Sequence, residues 1–104
     1  MKTASAKELL EGMGALLNAA ALNKILLMMG LAEEIEYLSS TGSGEVKSYT
    51  RLTERGLAYG KNKESGFSEK TTMVFYESGF RSLYVATCQA VSEHAHSLIP
   101  EAHA

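Results

Sequence analysis

The pattern of apolar and polar positions predicts a helix-turn-helix in the first third of the chain. Ser5 and Glu8 have the spacing of a capping box. The apolar face of the first helix follows at Leu9, Leu10 and Met13, and the helix is expected to end at Gly12 and Gly14. The second helix is capped by Asn18, ends at Gly30 and carries a stripe at i, i+3, i+4 and i+7: Leu22, Ile25, Leu26 and Met29.

A β-hairpin is predicted next, because two extended segments flank a glycine-containing turn. The segments are Glu33–Ser40 and Glu45–Leu52, and Thr41–Gly44 lies between them. Thr53 is placed to cap a short helix through Tyr59 that ends at Gly60. The polar stretch Lys61–Lys70 is interpreted as a loop.

The last part of the chain predicts a strand and a long helix. Thr72–Tyr76 is rich in β-branched and aromatic residues, which favour strands. Ser78 can cap a final helix that Pro100 ends, with this apolar stripe: Phe80, Leu83, Tyr84, Thr87 and Val91. We therefore expect an α+β fold in one domain over residues 1–100. It would be a winged helix-turn-helix with a hairpin wing, a third short strand and a long C-terminal helix. Residues 101–104 are expected to form a frayed tail.

Three motifs along the chain, within Ser5–Leu9, Leu22–Leu31 and Leu52–Gly60, together resemble the C-terminal (KilA-C type) winged-helix domain of phage antirepressor proteins. The similarity runs from Ser5 to Tyr84, and in that family the module usually follows an N-terminal domain. The resemblance implies a small phage or prophage regulatory protein. The matching positions are Ser5, Ala6, Glu8 and Leu9; Leu22, Asn23, Lys24, Leu26, Gly30 and Leu31; Leu52, Thr53, Gly56, Tyr59 and Gly60.

No constellation of residues indicates catalysis. Cys88 is the single cysteine, and His94 and His96 would point to nearly opposite sides of a helix, so they do not suit one metal ion. Gly42–Gly44 lacks the lysine of a phosphate loop. We expect no enzyme activity and no cofactor. The lone cysteine and the absence of a signal-peptide pattern favour a cytoplasmic protein, and the resemblance to phage proteins implies a bacterial host.

Charge is distributed unevenly along the 104-residue chain, whose formal net charge is -2. The middle third is locally basic: Lys47, Arg51, Arg55, Lys61, Lys63 and Lys70. These cations could contact phosphates or an acidic protein surface, and a solvated surface of mixed charge is the alternative. Of the six, all but Lys70 are assigned to a binding surface on and after the hairpin.

The second helix supplies the other candidate contacts: Asn23, Lys24, Leu27 and Met28. A helix that reads a major groove usually presents several polar or basic side chains to base edges, and Leu27 and Met28 do not fit that role. They suit a protein partner, a second copy of this chain, or packing against the chain's own final helix.

A non-catalytic binding function follows from these features. The favoured hypothesis is a protein-binding regulator or inhibitor of a host or phage factor, of antirepressor or anti-CRISPR type. The alternative is a transcriptional regulator that binds double-stranded DNA with helix 19–29 and the basic wing. No membrane association is expected.

Self-association is the first testable prediction. The apolar stripe of the final helix continues past the positions needed for the core, so two copies can pair there. We expect a homodimer with its contact near Val85, Cys88, Ser92 or Leu98. Light scattering at micromolar concentration should report twice the chain mass of 11.2 kDa, and a clean monomer would contradict the prediction.

Overall fold

The computed structural model describes residues 2–38, 42, 44–64 and 70–98. Within these ranges the chain forms three α-helices and two small antiparallel sheets, which confirms the α+β prediction. The helices are α1 (Ala6–Met13), α2 (Ala19–Met28) and α3 (Phe80–Leu98). The strands are β1 (Thr3–Ala4), β2 (Ala32–Leu38), β3 (Val46–Leu52), β4 (Gly60–Glu64) and β5 (Thr71–Tyr76).

The first two helices begin where their capping residues predict. The Glu8 amide donates to the Ser5 hydroxyl at 3.2 Å, and that hydroxyl donates to the Glu8 carboxylate at 3.1 Å. Helix α1 ends at Gly14 in the left-handed conformation, whereas Gly12 lies inside the helix and does not end it. The Ala21 amide donates to the Asn18 side-chain oxygen at 2.8 Å, as expected for an N-cap of α2.

Strands β2 and β3 form the predicted hairpin. Their antiparallel register runs from Ala32 opposite Leu52 to Leu38 opposite Val46. The predicted ends of the first segment, Ser39 and Ser40, lie outside the described residues, as do Thr41 and Ser43.

A second sheet, in the order β1-β5-β4, contains two strands, β1 and β4, that the sequence did not predict. The predicted third strand is confirmed as β5, but it does not extend the hairpin sheet. The first half of the predicted loop Lys61–Lys70 is strand β4, and residues 65–69 are not described. Strand β1 had no counterpart in the prediction. Both strands are short, and β4 is polar, so their pairing with β5 is set by the backbone ladder and leaves no apolar alternation to recognise.

The expected helix from Thr53 to Tyr59 is wrong, since only a 3-10 turn forms, at Gly56–Ala58. The Gly56 amide donates to the Thr53 hydroxyl at 3.3 Å, but the residue directly before the turn is Arg55, whose side chain makes no cap. The turn cannot lengthen because the Tyr59 carbonyl accepts a hydrogen bond from the Tyr76 amide at 3.0 Å, and this directs the chain into β4.

Helix α3 completes the fold. Another 3-10 turn, Glu77–Gly79, precedes it, and Ser78 lies inside that turn instead of directly before the helix. Of the predicted stripe, Phe80, Leu83 and Thr87 are buried, while Val91 is exposed. The predicted stop at Pro100 and the tail 101–104 lie outside the described residues. Among the described helices, none has the length and apolar character needed to cross a membrane.

The core lies where α1, α2 and α3 meet β5 and the start of the hairpin. Leu22 and Leu26 are fully buried, as the stripe predicts, and Met29 packs against the core as a half-buried residue. Ile25 is only half-buried and does not belong to the core cluster, which corrects that position. The buried set is Ala6, Leu10, Leu22, Leu26, Leu31, Ala32, Leu52, Phe75, Phe80 and Leu83.

Truncation of Leu26 is the second prediction. Its side chain has 0% exposed surface, so Leu26→Ala leaves a cavity and should lower the free energy of unfolding by about 2–5 kcal/mol. Met28→Ala, at a 43% exposed position of the same helix, is the matched control and should cost less than about 1 kcal/mol. Urea denaturation measures both, and equal losses would contradict the burial of Leu26.

Candidate macromolecular binding surface

The hairpin is anchored at its base by one side-chain amide. Asn62, on β4, accepts a hydrogen bond from the Leu52 amide at 2.8 Å through Oδ1. Its Nδ2 donates to the Leu52 carbonyl at 3.1 Å. The two sheets share no backbone ladder in the described part of the chain. The Asn62 side chain therefore makes the hydrogen bonds to Leu52 that a neighbouring strand would otherwise make.

A second set of bonds fixes the end of the hairpin to the end of α2. The Thr53 hydroxyl donates to the Gly30 carbonyl at 2.8 Å, and the Thr53 amide donates to the Leu31 carbonyl at 3.0 Å. Gly56 passes so close that a Cβ there would collide with the same Leu31 carbonyl. Two residues of the third motif, Thr53 and Gly56, therefore have a structural role. They hold the end of β3 against the end of α2.

One face of the hairpin carries cross-strand pairs of mixed character. The register places Glu33 opposite Arg51, Ile35 opposite Tyr49 and Tyr37 opposite Lys47. Arg51 Nε donates to Glu33 Oε2 at 3.0 Å, and both side chains are 43% exposed. At that exposure the pair contributes about 0–1 kcal/mol to stability, so its main effect is to offset the Arg51 charge.

Aromatic packing stiffens the same face. The Tyr37 and Tyr49 rings meet edge to face with 5.7 Å between centroids. Both residues remain half-buried and Lys47 is exposed. This face of the hairpin therefore offers aromatic surface and the exposed cation Lys47, while the charge of Arg51 is offset by Glu33.

The remaining basic candidates are divided among several elements. Arg55 is exposed before the 3-10 turn, and its guanidinium lies beside Gly30 at the end of α2. Lys61 and Lys63 are exposed on one face of β4, opposite Val74 and Thr72 of β5. Two of the five cations, Lys47 and Arg51, therefore lie on the hairpin and two lie on the other sheet, and a single binding surface formed by all five stays a prediction.

Of the four candidates on α2, two are exposed and two are half-buried. Lys24 and Met28 are exposed, but Leu27 is half-buried and packs against the core. Asn23 is half-buried and lines a cleft of mixed polar and apolar character between the helices and strands β3 and β5. Met28 borders a shallow groove against α3 with Met29, Ala86 and Ala90, in line with the alternative that this region packs near the final helix.

Sequence reasoning missed the acidic strand β2. The candidate binding residues include no carboxylate, yet Glu33 pairs with Arg51. Glu34 and Glu36 project on the opposite face of β2 and are exposed. Strand β2 carries three carboxylates and β3 carries two cations, so the paired strands together are acidic. Three glutamates within four residues of a predicted strand were the available signal.

The side chains that could ligate a metal ion lie apart from one another in the described ranges. No group of three or more His, Cys, Asp or Glu side chains is close enough there to hold a metal ion. Cys88 lies exposed on α3.

Comparison with protein-family models, with curated proteins and with solved structures found no match for this chain.

Removal of the anchoring amide is the third prediction. Asn62→Ala leaves the amide and carbonyl of the buried residue Leu52 without their partner, which should lower the free energy of unfolding by about 1–3 kcal/mol. The Leu52 amide should also exchange with solvent faster. Lys61→Ala, an exposed change on the same strand, is the control and should have an effect within about 0.5 kcal/mol. Unchanged Leu52 exchange in Asn62→Ala would contradict the anchoring role.

Proposed function

We propose that this chain is a small accessory protein of phage or prophage type that acts by binding another protein, without catalysis. The protein would be a regulator or inhibitor of a host or phage factor, of antirepressor or anti-CRISPR type, in the bacterial cytoplasm. The hairpin would be the wing of a winged helix, and α1 and α2 would be its helix-turn-helix.

The observation that carries the proposal is the mixed charge of the hairpin. A duplex presents only negative phosphates, and phosphate contacts supply most of the affinity for DNA. The hairpin brings three carboxylates beside two cations, and one of those cations is already paired with Glu33. A protein surface can complement both signs at once, whereas a phosphate backbone would be repelled by β2.

The exposed side of α2 supports the same conclusion. Its exposed positions at i, i+4 and i+8 are Ala20, Lys24 and Met28, which offer one cation and no amide to base edges. Apolar and flexible side chains such as Met28 suit protein contacts better than a groove of DNA.

A DNA-binding regulator is the second candidate. Four exposed cations favour it: Lys47, Arg55, Lys61 and Lys63. In this case helix 19–29 would enter the major groove with Lys24, and the cations after the hairpin would contact phosphates. Binding would then fall steeply with salt concentration, since each phosphate contact releases a counterion.

Charge reversal on β3 is the fourth prediction. Lys47→Glu with Arg51→Glu should weaken binding to a partner identified with the native protein by about tenfold, because rim charges govern encounter and specificity. The fold should be retained with a loss of at most about 1 kcal/mol, because Arg51→Glu replaces the ion pair with Glu33 by two like charges at half-exposed positions. Calorimetry with the purified partner gives the affinity, and far-ultraviolet circular dichroism reports the fold.

The matched control is Lys7→Glu with Arg81→Glu, which makes the same charge change at exposed sites on α1 and α3. Equal affinity of the β3 variant and the native protein would show that the face with Lys47 and Arg51 is not part of the interface. A saturable, salt-dependent mobility shift of duplex DNA by the native protein would favour the second candidate.

A further inference from the structure

One edge of β2 is unpaired in the described part of the chain. The strand is seven residues long, and it pairs with β3 along one side only. The sheet order contains no strand beyond it. Such an edge presents a row of backbone donors and acceptors that can template another strand.

A two-stranded sheet is marginal by itself, and a third strand stabilises it. The side chains along β2 are open to such a strand. Glu34, Glu36 and the 71% exposed Leu38 share one face, and the half-buried Ile35 and Tyr37 share the other. The edge therefore offers alternating carboxylates on one side and apolar surface on the other.

The charge of β2 decides which strand fits. Antiparallel pairing of two copies about Ile35 would set Glu34 of each copy against Glu36 of the other. Like charges directly opposite on one face destabilise a strand pair, so the edge disfavours a second copy of this chain. A strand with lysine or arginine at alternate positions would place a cation against each carboxylate.

We propose that the free edge of β2 binds an extended segment of a partner protein by strand addition. The segment alternates basic residues, which face Glu34 and Glu36, with apolar residues, which lie beside Ile35 and Tyr37. Main-chain hydrogen bonds supply affinity, and the alternation supplies specificity. This inference rests on the proposed protein-binding function and names the chemistry of the partner.

The test uses a synthetic peptide in which lysine alternates with valine, titrated into the ¹⁵N-labelled full chain. The expected result is a saturable shift of the amide resonances of Ala32–Leu38, with slower hydrogen exchange there. A peptide of the same composition, with its lysines and valines in two separate blocks, should bind at least about tenfold more weakly. Equal binding of the two peptides, or shifts that leave β2 unaffected, would overturn the proposal.

Variants give an independent readout. Glu34→Lys with Glu36→Lys should weaken binding of the alternating peptide by about tenfold or more, because both attractive cross-strand pairs become repulsive. Glu11→Lys with Glu93→Lys makes the same net charge change at exposed positions on α1 and α3 and should leave binding unchanged. Equal weakening by the two pairs would show general electrostatic attraction and overturn the edge as the site.

Failure of strand addition at β2 can be distinguished from failure of the proposed protein-binding function. If the native protein binds a purified protein partner but the alternating peptide leaves β2 unaffected, the edge inference fails and the protein-binding function stands. If the native protein binds duplex DNA and no protein, the proposed function fails whatever the peptide does.

Discussion

The amide of Asn62 holds the backbone of Leu52 through two hydrogen bonds, and the position of the hairpin depends on that contact. The two sheets share no ladder in the described ranges, so a side chain supplies what a neighbouring strand would otherwise provide. Thr53 and Gly56 add the attachment to the end of α2. Because Leu52 is also buried in the core, the base of the hairpin is held both by polar bonds and by apolar packing.

A hairpin held this way at its base can present its outer part as a defined surface. Beyond the base, β2 and β3 are exposed or half-buried, and they bring opposite charges side by side. That arrangement suits a partner whose surface carries both signs. It also removes Arg51 from the basic set that the sequence indicates, because its guanidinium lies 3.0 Å from a carboxylate of the acidic strand.

Local signals in the sequence were accurate where local chemistry decides the structure. Ser5 and Asn18 cap their helices, and Leu22 and Leu26 are buried as their spacing predicts. The hairpin and β5 were also predicted, as was most of α3. The errors fall where pairing between distant segments decides. Strand β4 is polar and forms because β5 lies beside it, and the turn after Thr53 stays short because the Tyr59 carbonyl accepts a hydrogen bond from the Tyr76 amide.

The amphipathic spacings, caps and glycines by themselves determined the helices, the hairpin and the α+β class, because each depends on residues within a few positions of one another. Only the tertiary structure decided which charges meet. A turn centred on Thr41–Gly44 would pair Arg51 with Glu34, but Leu38 pairs with Val46, so the register centres on Gly42 and Glu33 faces Arg51. A shift of one residue exchanges the two faces of a strand, and no local signal fixes it. Which carboxylate offsets Arg51, and so which charges stay unpaired on the hairpin, therefore depended on that register.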